Sequence, residues 1–134
     1  LGLESVMPLD YLPEPLAPGW QLTAGIVLAL AGAAIIWTAS AALQRARAAQ
    51  KPESSKLMLI STGPYRYSRN PIYIAFLLFQ AGIAFAYSLE WGLVLLPVSW
   101  LAFDRLVIAR EEAYLTRLFG TEYQALLKGT RRWL

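Results

Sequence analysis

The chain has 134 residues, 57% of them hydrophobic and 16% charged, with five Trp, seven Tyr and a formal net charge of +3. That is too apolar for an ordinary soluble domain and marks an all-α polytopic membrane protein. Cysteine and histidine are absent, which excludes disulfides, thiolate nucleophiles, the usual zinc sites and histidine acid–base chemistry.

Residues 1–19 form a lead-in carrying Glu4, Asp10 and Glu14 and no basic residue. The chain opens at Leu1 rather than Met, which leaves room for an upstream signal or membrane helix. Residues 20–43 contain no charge, and about 24 residues at 1.5 Å rise exceed the roughly 30 Å hydrocarbon core, so a transmembrane helix is predicted there. Gly25, Ala29 and Ala33 fall four apart on that helix. They read either as a small-residue face that admits a neighbouring helix or as plain alanine-rich composition.

Residues 44–70 begin polar and basic, pass through Pro52-Glu53-Ser54-Ser55, and become apolar again at Leu57-Met58-Leu59-Ile60. Gly63-Pro64 predicts a turn, and Asn70-Pro71 predicts a helix start, with Asn as cap and Pro at the first helical position. Tyr65, Arg66, Tyr67, Arg69 and Tyr73 crowd that start. Interfacial anchoring explains some of them, and a helix amino terminus flanked by Arg also offers an anion site.

Residues 71–109 read as a helical hairpin of two apolar runs, Ile72 to Leu89 and Trp91 to Ala109, joined at Ser88-Leu89-Glu90-Trp91-Gly92. Pro97, Asp104 and Arg105 predict that the second run kinks or leaves the bilayer early. Residues 110–134 predict helices that stop near Gly120 and restart at Thr121, where Thr121 and Gln124 have capping-box spacing. Glu111 can share a face with Leu115 and Leu118. From spacing alone, Glu111 and Glu112 read as solvated charges at a helix start.

The twelve Lys and Arg fall between the first and second apolar runs or near and beyond the end of the third. The positive-inside rule puts both regions in the cytoplasm and the 1–19 and 88–92 segments outside. Anionic headgroups account for these cations, so membrane lipids are the expected partners and nucleic acid is not.

Taken together, Leu59 with Gly63-Pro64-Tyr65-Arg66, Arg69-Asn70-Pro71 and Tyr73, then Arg110-Glu111-Glu112, then Phe119-Gly120 with Glu122-Tyr123 and a closing Arg131-Arg132-Trp133, resemble the isoprenylcysteine carboxyl methyltransferase family and its phospholipid methyltransferase relatives over residues 44–134. The resemblance implies a membrane enzyme of the bacterial inner-membrane type that moves a methyl group from S-adenosylmethionine to a lipophilic acceptor at the cytoplasmic face, such as an isoprenylcysteine-like carboxylate. It implies that Tyr65, Asn70, Pro71, Ile72 and Tyr73 contact the cofactor, that Leu57, Met58, Leu59 and Ile60 line its pocket, and that Gln50 and Glu111 bind it. Glu112, Tyr123, Arg66 and Arg69 match the motif without a defined role. The family's Arg-His-Pro is Arg69-Asn70-Pro71 here. Its substrate-carboxylate arginine aligns near Val107, which leaves Arg105 or Arg110 to substitute for it; a carboxylate or thiolate acceptor needs no base, whereas an amine or phenol would need one, for which Glu112 or Glu111 is available. The alternatives are a phospholipid or thiol methyltransferase, an NADPH enzyme akin to the sterol reductases, or a scaffold without catalysis. The sequence contains no Gly-rich dinucleotide loop and implies no metal.

Overall fold

The computed structural model describes residues 2–9, 19–49 and 59–134. Among them the structure is helical, with no strand and one parallel bridge between Ser68 and Arg131. A short helix α1 (Gly2–Val6) precedes α2 (Trp20–Ala48). The 29 residues of α2 reach about 43 Å at 1.5 Å per residue. The helix expected over residues 20–43 therefore continues further, and its last turn carries Arg45 and Arg47, where cations meet the negative end of the helix dipole.

A 3-10 turn over Gly63–Arg66 leads into α3 (Pro71–Ala86), whose 16 residues span about 24 Å. This is shorter than the apolar run that predicted it, because the chain turns at Tyr87 and Ser88, the latter at φ +51°. The helices α4 (Glu90–Val94) and α5 (Leu96–Ala102), a π-helical segment Phe103–Ile108 and α6 (Ala109–Phe119) then form one rod of 30 residues. Pro97 does not break this rod. It sits in the first turn of α5, where its missing N–H leaves little unmade, and the bonds from Leu95 N to Trp91 O and from Ser99 N to Leu95 O, both 2.9 Å, run past it. Two described helices, α2 and the rod, are long and apolar enough to cross a membrane; α3 is apolar but shorter.

The break at Gly120, with φ +53° and ψ −119°, uses a conformation that glycine adopts most readily. Helix α7 (Thr121–Gly129) follows it. The expected capping box does not form, because Gly120 occupies the cap position and Thr121 is already the first helical residue.

Helix α2 packs chiefly against α3. A Cβ built on Gly25 would lie 2.6 Å from the Gly82 carbonyl oxygen, and one on Gly82 would lie 2.8 Å from that of Gly25, so the two backbones touch. Two turns on, a Cβ on Gly32 would come within 3.1 Å of the Ala75 carbonyl oxygen, and Ala39 is fully buried. The contact face thus follows Gly25, Gly32 and Ala39, while Ala33 is exposed. Four-residue steps advance about 40° per step around a helix and leave the face, whereas seven-residue steps drift only about 20°.

At one end of the bundle, Ser88 Oγ donates to Gln21 Oε1 at 3.0 Å and Trp91 Nε1 to the Met7 carbonyl at 2.7 Å. At the other end the turn over residues 63–69 meets residues 130–132. Among the described residues, every Lys and Arg belongs to the elements of this second end, from Arg45 and Arg47 on α2 to Arg131 and Arg132 at the carboxy terminus. The charge segregation read from the sequence is therefore a segregation in space.

Candidate active site

The basic end encloses a cavity of about 160 Å³. Leu59, Ile60, Ile108, Leu115 and Leu126 form its apolar wall, and Tyr65, Arg69, Asn70, Glu111, Glu112 and Tyr123 supply its polar groups. A wider groove along the end of α2, lined by Trp37, Thr38, Ala42 and Arg45 among others, shares Leu59 and Ile60 with the cavity.

The first turn of α3 aims Tyr73 at α6, where its hydroxyl donates to Glu111 Oε1 at 3.0 Å and its ring lies 5.2 Å from that of Phe103. Glu111 is exposed and makes no ion pair with a described residue. Glu112, one residue on, is in the opposite situation. Its Oε1 accepts from Arg69 Nη2 at 2.9 Å and from Arg132 Nε at 3.0 Å, and its Oε2 accepts from Arg132 Nη2 at 2.5 Å. A carboxylate with both oxygens bound to guanidinium groups is a clamp.

Arg69 is only 12% exposed, and its Nη1 also donates to the carbonyls of Leu127 and Thr130. The Nη groups of Arg69 are therefore taken up by Glu112 and the end of α7 rather than an anion beside the α3 start, while its buried Nε has no hydrogen-bond partner among the described residues. Arg132 reaches further: its Nη1 donates to Asp104 Oδ1 at 3.1 Å, an oxygen that also accepts from Trp133 Nε1 at 3.0 Å. The Arg132 guanidinium is held above its ordinary pKa chiefly by the hydrogen bond to Glu112; burial opposes this, and the hydrogen bond to Asp104 adds to the rise. Burial pushes the Tyr65 phenol up, with Arg47 opposing, and pushes Tyr123 up, with Glu112 adding to it. Both stay neutral phenols, able to donate.

Asn70 occupies the cap position of α3 but makes no capping bond with its side chain. Its Nδ2 donates instead to the Arg132 carbonyl at 2.9 Å, and its backbone N–H goes to Ser68 Oγ at 3.0 Å. Ser68 Oγ donates to the same Arg132 carbonyl. The side chain expected to cap the helix is drawn toward the carboxy terminus, and the Ser68 hydroxyl takes up the N–H of Asn70 itself.

The cavity brings together Leu59, Ile60, Tyr65, Asn70, Glu111 and Glu112, and Tyr73 joins it through Glu111. Pro71 is buried as the first residue of α3, and Ile72 is half-buried there without lining the cavity. Arg105 and Arg110 are not brought in. Both are exposed and outside the lining, and Arg105 Nε lies 3.3 Å from Asp104 Oδ2. Gln50, Leu57 and Met58 lie outside the described residues. Sequence reasoning gave no role to Asp104, Arg132 or Trp133. One signal was available: an Asp inside an apolar span is costly unless paired, and the closing Arg131-Arg132-Trp133 run supplies the partners.

Residues 20–122 match the phospholipid methyltransferase family, a stretch that contains α2, the 63–73 turn, the π segment and both glutamates. The chain belongs to that family. It is thereby one of the isoprenylcysteine carboxyl methyltransferase-like proteins, a group of membrane methyltransferases. Comparison with curated proteins and with solved structures finds no match. The family match ends at Glu122, so most of α7 and the residues that bind Glu112 and Asp104 from the carboxy terminus follow it in the chain.

Proposed function

We propose that this family member is an S-adenosylmethionine-dependent methyltransferase acting on a lipophilic acceptor, with its basic end at the cytoplasmic face of the membrane. The observation that carries this reading is Glu111: a carboxylate in the cavity lining, fixed by Tyr73 and unpaired with any described cation. A cofactor bearing a sulfonium and an ammonium needs such a group, and the rings of Tyr65 and Tyr73 offer faces that attract a cation. The residues present therefore suit the cationic part of the cofactor.

When bound, S-adenosylmethionine supplies the methyl group and the sulfur that leaves. The work left to the chain is alignment and exclusion of water. Glu111 and Tyr73 hold the cationic part, Tyr65 flanks it, and Leu59, Ile60, Ile108, Leu115 and Leu126 keep the reacting carbon dry. Glu112 fixes the walls through Arg69 and Arg132.

The charge balance bears on the acceptor. Among the described residues Arg69 is the one cation in the cavity lining, and its charge is paired with Glu112 while its Nη1 serves two carbonyls. Among the described lining residues a carboxylate acceptor would meet Glu111 and a guanidinium whose charge Glu112 already balances, so an amine or other lipid nucleophile without negative charge is favoured.

The test is calorimetry with S-adenosylhomocysteine on detergent-solubilised protein, followed by transfer of labelled methyl to amine, thiol and carboxylate lipids. Binding at micromolar concentration that weakens about tenfold or more in Glu111→Gln and in Tyr73→Ala is expected. Unchanged affinity in both variants rejects the site, and turnover of the carboxylate lipid alone rejects the acceptor reading.

A further inference from the structure

The carboxy-terminal residues reach three separate walls of the site. The Arg132 guanidinium binds Asp104 on the π segment and Glu112 on α6, while its carbonyl accepts from Ser68 and Asn70 on the turn before α3. Backbone bonding reinforces the connection, since Arg69 N donates to the Arg131 carbonyl at 2.9 Å. Two of the groups so held, Asn70 and Glu112, line the cavity, and Arg132 itself does not. We propose that Arg132 is a positioning residue, whose guanidinium and carbonyl together set the separation of the π segment, α6 and the Asn70 turn and so fix the width of the cofactor cavity.

The geometry explains why this position takes an arginine. A planar guanidinium presents donors in more than one direction at fixed angles. Here Nη1 serves one carboxylate while Nε and Nη2 serve the other. A lysine in the same place keeps the charge but is a point donor on a flexible stem. It satisfies one carboxylate at a time, and the second wall is released. A plain stabilising contact would make no such distinction between the two cations.

The inference rests on the cofactor reading above. Its test compares wild type, Arg132→Lys and Asp104→Asn in detergent or nanodiscs, with Gly25→Ala as a control that perturbs the α2–α3 contact at the opposite end. Each protein is measured for S-adenosylhomocysteine affinity, thermal midpoint, and KM for cofactor and acceptor. Arg132→Lys is expected to bind about tenfold more weakly, and Asp104→Asn severalfold more weakly. The cofactor KM rises in step, the acceptor KM stays within twofold, and Gly25→Ala loses thermal stability without losing affinity. If Arg132→Lys and Asp104→Asn bind within twofold of wild type, or lose affinity only as Gly25→Ala does, Arg132 is a structural tie and the proposal is overturned. Failure of the wild type itself to bind overturns the cofactor reading and this proposal with it.

Discussion

Replacing Glu112 with Gln keeps the volume of the side chain and removes the negative charge from between Arg69 and Arg132. The two guanidinium groups that converged on a carboxylate would then converge on a neutral amide, whose nitrogen would also turn donors toward donors. Arg69 is 12% exposed, so its charge would remain inside the protein; Arg132 is 37% exposed and screened in part by solvent. Breaking a buried pair by neutralising one partner costs about 3–5 kcal/mol, and the partial exposure of Arg132 puts the expectation at the low end, about 3 kcal/mol. For a chain of this size that lowers the thermal midpoint by about 10 °C. Glu111→Gln makes the opposite case. Its carboxylate is exposed and accepts one bond, from Tyr73, which the amide oxygen can still accept. Stability should change by about 0.5 kcal/mol or less, while affinity for S-adenosylhomocysteine falls. Thermal melts followed by Trp fluorescence, with and without S-adenosylhomocysteine, separate the two variants in one experiment. A Glu112→Gln protein melting within about 2 °C of wild type would refute the clamp, as would a Glu111→Gln protein that is the less stable of the two and binds normally.

Tyr73→Phe keeps the ring against Phe103 and removes the donor to Glu111; a loss of about 1 kcal/mol, or roughly fivefold in cofactor affinity, is expected by calorimetry. Gly25→Ala places a methyl group 2.6 Å from the Gly82 carbonyl oxygen, so overpacking of about 1–3 kcal/mol should exceed the roughly 1 kcal/mol that alanine gains in helix propensity; a raised midpoint in detergent melts would contradict the backbone contact. Arg105→Ala and Arg110→Ala, at exposed positions outside the cavity, should each leave acceptor KM within about twofold and stability within about 0.5 kcal/mol.

Hydropathy and charge located what depends on local chemistry. The uncharged run after Trp20 became α2, Gly120 ended α6, and the cations collected at one end. The 63–73 turn and Glu111 fell into one cavity because a short turn leads straight into α3 and Tyr73 spans to α6. What the sequence hid depends on register and distance along the chain. Asp104 and Glu112 are eight residues apart, which in a regular α-helix leaves them about 80° out of line. The π segment between them, with its longer i→i+5 turns, changes that register, and Arg132 pairs with both. Asp104 and Arg105 consequently read as a kink or an early exit from the bilayer, and the helix runs through them as one rod. Asn70 was legible as a helix cap, and only its distance from Arg132 in space, 62 residues along the chain, turns it away from that role.

The cavity itself follows from unequal helix lengths. Gly25 faces Gly82 and Gly32 faces Ala75, so by the same antiparallel register Pro71, where α3 begins, lies level with residue 36 of α2. From there α2 continues to Ala48, about 18 Å at 1.5 Å per residue. On the other side Tyr73 meets Phe103 and Glu111, and α6 runs on to Phe119, about 12 Å beyond Glu111. Two helices thus outreach a third, and the space above Pro71 is closed by the irregular chain of residues 59–70, by α7 and by residues 130–133. Arg45, Arg47, Arg110 and Arg117 on the overreaching turns would match anionic lipid if this space stands at the headgroup level, as the proposed function requires. On the proposed function, a site at that height would meet a lipid headgroup without drawing its chains out of the bilayer and would take a water-soluble cofactor from the opposite side. The shortness of α3, which keeps it below the length of a full span, is what makes room for the cavity.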